Sequence, residues 1–192
     1  TGLQTGVLST SVILPFVNIL IYISWFYIPF AILFILFVVN SVNLTDGIDG
    51  LAASVTIVVM LYFELASNNG GSMLYVFGFV VTGALVGFLL YNKYPARLFM
   101  GDTGSLFLGG GVAAMALLQR NPLILVLVGI IYIIESLSVI IQVIAFKLTG
   151  KRVFKMSPIH HHFEMCGWSE TKIVSVFATV TAVGAIIAFL SK

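Results

Sequence analysis

Long apolar runs alternate with short polar stretches along this chain. Each run approaches the ~20 residues that a helix needs to cross a bilayer. Inside a run the apolar positions are continuous, which favours helices over a membrane barrel, whose strands alternate apolar and polar residues. The pattern predicts six spans. The first three run from about Trp25 to Val42, from Leu51 to Ala66 (ending at the turn Ser67–Gly71) and from Met73 to Tyr91. A glycine-rich fourth covers about Thr103 to Leu118, the turn Gln119–Pro122 opens a fifth that reaches about Phe146, and a last covers Ile173 to Leu190. Ahead of them the residues are apolar but broken by Gly6, Pro15 and Asn18, and Val7–Leu14 has the β-branched content of a strand. A short β-hairpin or interfacial segment is expected there. The fold class is therefore all-α: a polytopic helical membrane protein, one membrane domain over residues 1–192, without an internal repeat.

Composition agrees. Of 192 residues, 60% are hydrophobic and 8% charged, against roughly 25% charged in soluble domains. The formal charge of +2 is too small to suggest nucleic acid. Cys166 stands alone, so no intrachain disulfide can form. Thr1–Gly6 has neither the basic start nor the apolar core of a signal peptide, and the chain reads as the later part of a longer protein. Six spans put both ends on one side and sort the loops by charge. Lys93, Arg97, Lys147, Lys151, Arg152, Lys155 and Lys172 fall on one face, Arg120 and Lys192 on the other. The positive-inside rule makes the first face cytoplasmic, with loops at about 43–50, 92–102 and 147–172. All three aspartates (Asp46, Asp49, Asp102) and all three histidines then land on that face.

The central stretch is Asn40–Ala52, which holds Asp46 and Asp49 between two apolar runs. A carboxylate at a bilayer edge is costly to desolvate, so such placements are usually functional. The plain alternative is a polar turn between helices. Asn40, Asn43, Asp46 and Asp49 step by three, which would splay them around one straight helix by about 180°. A break near Gly47 is expected to gather them. Asp102, between two glycines at the start of a span, reads either as a helix N-cap or as a carboxylate that approaches a metal–phosphate group. Magnesium usually takes one or two carboxylates and completes its shell with phosphates and water. His160, His161 and His162 lie in Ser157–Glu164. Zinc is disfavoured there, since consecutive residues cannot all reach one metal and no cysteine pair accompanies them. Imidazoles holding phosphate beside Lys151, Arg152 and Lys155 fit better, although anionic lipid headgroups also attract such basic residues. Glu135, Ser138 and Gln142 share a helical face in the fifth span. Glu135 reads as part of an interhelical hydrogen-bonding stripe, and Gln142 lies nearer the site. Asn92 and Phe99 flank Asp102 and suit a nucleobase, though an aromatic at this depth is commonly an interfacial anchor.

Asn40–Ala52, Phe99–Ser105 and Ser157–Glu164 closely resemble the polyprenyl-phosphate N-acetylhexosamine-1-phosphate transferase superfamily. The triple histidine, with Phe163, Glu164, Gly167, Trp168 and Glu170 after it, resembles its muramoyl branch, the phospho-N-acetylmuramoyl-pentapeptide transferase family. The resemblance covers nearly the whole chain, but only the later part of the family's sequence. It implies ten spans in the intact enzyme, these six being the last, and a homodimer in the bacterial inner membrane with its active site on the cytoplasmic face. It implies transfer of the phospho-sugar of UDP-N-acetylmuramoyl-pentapeptide to undecaprenyl phosphate, giving lipid I and UMP, the first membrane step of peptidoglycan synthesis. By the same resemblance Asp102 binds Mg2+. Gly47, Ile48, Asp49, Asn92 and Phe99 look like the uridine pocket, with Asn43, Asp46 and Gln142 beside it. His160 and His161 approach the diphosphate, and Asp46, Asp102 and His160 are the candidate catalytic residues. The family's paired-aspartate motif in an earlier loop has no counterpart here, so this chain alone is expected to be incomplete as an enzyme. A relative using UDP-N-acetylglucosamine, or from another class a secondary transporter, are the competing readings.

Overall fold

The computed structural model describes residues 10–17, 19–67 and 73–191. Two short strands, β1 (Ser11–Leu14) and β2 (Ile19–Tyr22), pair antiparallel as the expected hairpin, with Ser11 opposite Tyr22 and Leu14 opposite Ile19. The helices that follow are α1 (Tyr27–Thr45), α2 (Leu51–Ala66), α3 (Met73–Asn92), α4 (Gly101–Leu118), α5 (Leu125–Val128), α6 (Ile130–Thr149), α7 (Ile159–Met165) and α8 (Glu170–Leu190). Among the described residues five helical segments are long and apolar enough to cross a membrane: Ser24–Thr45, α3, α4, α6 and α8. This is a multi-pass helical membrane protein. The turn expected at Ser67–Gly71 falls largely outside the described residues, as do residues 1–9 and Lys192.

The second expected span, α2, is shorter than these five, with 16 residues, a rise of about 24 Å. It is the central helix: Leu51, Ala52, Val55, Val59, Met60 and Phe63 are fully buried among its neighbours. A helix enclosed by others needs to match the bundle, not the lipid thickness. Outward faces are the reverse, with Ile32, Leu33 and Leu36 of α1 exposed. Lipid tails are as apolar as leucine, so helices in a membrane associate through close packing and interhelical hydrogen bonds. Gly109 of α4 supplies the first, since a Cβ there would lie 2.6 Å from Val39 Cα of α1. Ser41–Ser136 (2.6 Å), Thr56–Tyr132 (2.8 Å) and Thr82 Oγ1 donating to Glu64 Oε1 (2.6 Å) supply the second.

The fifth span departs from expectation in two ways. It is not one helix: a 3-10 turn at Pro122–Ile124 leads into α5, and Gly129 (φ −103°, ψ 25°) breaks the path before α6. It also runs on further than its neighbour. Ser136 of α6 meets Ser41 of α1, which ends one turn later at Thr45, whereas α6 continues to Thr149, roughly three and a half turns beyond. Glu135 therefore lies near the level of α1's end.

Loops 46–50, 92–100 and 150–169 gather at one end, tied by Gly50 N–H to Asn92 Oδ1 (3.1 Å) and Asp49 N–H to Glu170 Oε2 (3.3 Å). The hairpin and residues 119–124 share the other end, where Ile13 N–H donates to Arg120 O (2.8 Å) and Gln119 Nε2 to Phe63 O (2.9 Å).

Candidate active site

The α1–α2 connection is five residues long, Asp46–Gly50. Gly50 makes the reversal at φ +78°, a left-handed conformation that glycine adopts without the steric cost of a side chain. The expected break is thus made at Gly50, and Gly47 serves another purpose. A Cβ on Gly47 would sit 2.2 Å from His160 Nε2, so glycine is there because the imidazole occupies that space.

The break only partly gathers the residues that step by three. α1 stays helical through Thr45, so Asn40 faces away and its amide donates to Leu36 O of its own helix (2.7 Å). Asn43 Nδ2 donates to Asp102 Oδ1 (3.1 Å) and to Ser105 Oγ (2.9 Å) of α4. Asp46 follows one turn on, within electrostatic reach of Asp102. Asp49 lies on the other side of the loop, where its Oδ2 accepts from Ala96 N–H (2.8 Å). Asp102 is in the first turn of α4 but is not its N-cap: Met100 holds that position and no side chain caps it. The capping reading therefore falls, and the carboxylate is exposed, with one oxygen accepting from Asn43.

Burial pushes the Asp46 carboxyl up to about 6, and the Asp102 charge pushes in the same direction. Among the described residues neither carboxylate forms an ion pair with a lysine or arginine. Two carboxylates within electrostatic reach of each other, with no lysine or arginine partner among the described residues, are a donor set that suits a hard divalent ion. Among the described residues no three His, Cys, Asp or Glu side chains form a cage, so such an ion would need further oxygens from phosphates and water.

The other predicted residues divide into those left exposed and those spent on holding the loops together. Phe99 is 73% exposed, and its ring face is open to a flat partner. The exposed aromatic beside Asp102 is thus placed where a base could stack. Ile48 packs partly against the core. Asn92 is buried, its oxygen accepting from Gly50 N–H and its Nδ2 donating to Leu98 O (2.8 Å). Both ends of the amide are engaged, and it clamps the 46–50 loop to the 92–98 loop. Gln142 is likewise spent: Oε1 accepts from Val153 N–H (3.0 Å) and Phe154 N–H (2.9 Å), and Nε2 donates to Phe154 O (3.0 Å).

The histidines have three separate roles. His160 is fully buried, with Nδ1 3.0 Å from Glu135 Oε2. The ring's far edge lies against the Gly47 backbone. His161 is half-buried and paired through Nδ1 with Glu164, which leaves Nε2 as its outward atom. His162 Nδ1 accepts from Lys155 N–H (3.1 Å), and its ring packs edge-on against Phe154 and Phe163. Three contributors were not expected from the sequence: Ser105, the Ala96 amide and Glu170, whose carboxylate reaches the Asp49 amide. Ser105 sits three residues after Asp102, a spacing that signals a shared helical face. Glu170 and Ala96 are distant in sequence and carry no local signal.

A model of glycosyl transferase family 4 matches residues 2–120. Proteins named phospho-N-acetylmuramoyl-pentapeptide-transferase are similar over nearly all of the chain. The one from Clostridium perfringens (strain 13 / Type A) is 58% identical over 185 residues, 96% of this chain and 58% of the relative. Those from Clostridium novyi (strain NT) and Clostridium botulinum (strain Eklund 17B / Type B) are 55% and 52% identical, each over 96% of this chain and 57% of the relative. The chain thus spans somewhat more than half the length of these relatives.

Proposed function

The chain belongs to glycosyl transferase family 4, and on that premise we propose that it forms the main part of a phospho-N-acetylmuramoyl-pentapeptide transferase. In the intact protein the reaction moves the phospho-sugar from its UDP donor onto undecaprenyl phosphate, releasing UMP and giving lipid I. The observation that carries this reading is the Asn43–Asp46–Asp102 cluster at the basic end of an apolar bundle. A site at that boundary admits a lipid-borne phosphate from the membrane and a nucleotide from the aqueous side.

A carrier-phosphate oxygen attacks the phosphorus that bears the sugar, and that phosphorus loses its bond to the UMP oxygen. Asp102 would hold the Mg2+, with Asp46 facing the same space and Asn43 orienting the Asp102 carboxylate. When bound, the ion supplies positive charge to the phosphoryl oxygens as the bond order shifts. Phe99 offers a stacking face for uracil. Asp49, held at one oxygen by Ala96 N–H, keeps the other for the uracil edge. His161, oriented by Glu164, directs Nε2 toward phosphate oxygens. A groove of about 380 Å³ between the α6 extension and residues 152–157 has apolar walls at Val143, Phe146 and Met156, with Lys147 and Arg152 at its rim. Apolar walls beside basic groups suit a polyprenyl chain carrying a phosphate. Seven cations at this end support a cytoplasmic site under the positive-inside rule, and the reading extends to a homodimer in the bacterial inner membrane.

The test is UMP release by membranes containing the full-length parent, with Mg2+ and undecaprenyl phosphate. UDP-N-acetylmuramoyl-pentapeptide and UDP-N-acetylglucosamine are offered separately. Release with the first alone supports the reading. Release with the second alone reassigns the donor, and no release with either from folded protein overturns the transferase assignment.

A further inference from the structure

Glu135 and His160 are both completely buried, yet neither is fully satisfied. Glu135 Oε2 lies 3.0 Å from His160 Nδ1, while Glu135 Oε1 and His160 Nε2 have no hydrogen-bond partner among the described residues. Burying two such groups costs free energy that a plain apolar contact would not. The pair must therefore be judged by what its geometry does. The ring's far edge, at Nε2 and Cε1, fills the place of the missing Gly47 side chain; a Cβ there would be 2.2 Å from Nε2 and 2.6 Å from Cε1. Asp46 is the residue immediately before Gly47. The chain of contact runs from a carboxylate on α6, through an imidazole on α7, to the backbone that carries Asp46. Its foundation is held as well. Ser136, next to Glu135, bonds Ser41 of α1 at 2.6 Å, so α6 cannot slide relative to the helix that ends in the site.

We propose that Glu135 is a positioning residue for the transfer, acting through His160 on the Gly47 backbone and so setting where Asp46 stands opposite Asp102. The inference rests on the function proposed above. A hydrogen bond to one ring nitrogen fixes the orientation of an imidazole and the direction in which its other nitrogen points. Without Glu135, the ring is free to tilt and the 46–48 backbone loses its support. Neither Glu135 nor His160 needs to touch substrate for this.

The test uses the full-length parent in membranes and as detergent-solubilised protein. The variants are Glu135→Ala, Glu135→Gln, His160→Ala, Gly47→Ala and the double variant Glu135→Ala/His160→Ala. Wild-type UMP release shows first that the functional reading holds, so a failure of this inference is separable from a failure of that one. Expected is a fall in kcat of about ten- to a hundredfold for Glu135→Ala, with KM for the UDP-sugar and UMP binding changed by less than about threefold. Glu135→Gln, whose amide oxygen can still accept from Nδ1–H, recovers most of the rate. The double variant is no slower than the worse single one, because both act through one contact chain. Gly47→Ala, which pushes the loop off the ring, gives the same kcat-specific loss. The inference is overturned if Glu135→Ala keeps the wild-type kcat, or if the two alanine losses multiply. It is also overturned if kcat and the melting temperature fall in proportion across all the variants, Gly47→Ala included, which is the mark of a merely structural pair.

Discussion

At the scale of single residues, Asp46 is the most informative group. Its carboxyl stands at about 6 against an ordinary 3.8, through burial first and the Asp102 charge second. A folded-state value above the unfolded one means that the folded protein binds the proton more tightly. The stability from that proton is complete below about pH 4 and is lost as pH rises through about 6. In the absence of divalent cations, the melting temperature of solubilised protein should therefore decline between those values. Asp46→Asn should flatten the decline, and an unchanged profile in that variant would place the responsible group elsewhere. Asp102 illustrates a second residue-level point. Its position between glycines read equally as a cap or as a ligand, and only the Met100 cap and the Asn43 contact separate the two.

At the scale of elements, helix contacts and loop clamps set the site's geometry. Gly109 brings α4 against α1, and the neighbour that a Cβ would strike is backbone, which cannot swing aside. Gly109→Val should cost on the order of 3 kcal/mol by overpacking. Gly110→Val, on the same helix with open space around it, should leave the melting temperature within a degree or two of wild type. Equal losses in both would show that helix propensity, not the α1–α4 contact, is responsible. Gln142 is the clamp for residues 153 and 154, with three hydrogen bonds to their backbone. Gln142→Ala should raise amide exchange at Val153 and Phe154 by at least about tenfold, as read by hydrogen–deuterium exchange. Unaltered protection would mean that the segment is held from elsewhere.

At the scale of the whole molecule, charge and shape define two different ends. The basic end carries the aspartate loops, and the other carries the β-hairpin and Arg120. Cys166, the sole cysteine of this sequence, is exposed at the basic end just after α7. In a full-length parent with any other cysteine replaced, a membrane-impermeant maleimide should label Cys166 in inverted vesicles and not in intact spheroplasts. Labelling only from outside would reverse the orientation that the positive-inside rule predicts.

The apolar runs by themselves determined the membrane class, the positions of the long helices other than the broken fifth span to within a few residues, and the hairpin ahead of them. Those features follow from local composition and from the length of a bilayer-spanning helix. Charge asymmetry along the same sequence sorted the loops, and the aspartate and histidine stretches marked one end as chemical. Tertiary structure decided which of these residues stay exposed at that end and which are spent on internal contacts. Asn92 and Gln142 became clamps, His160 a buried prop beneath Gly47, and Glu135 its anchor, because burial and partners depend on helices far apart in sequence. Counting along α6 could not bring Glu135 to the site, since its level is set by where Ser136 meets Ser41. Nor could the sequence separate Asn40 from Asn43, because their facing depends on α1 remaining helical to Thr45 before the chain turns at Gly50.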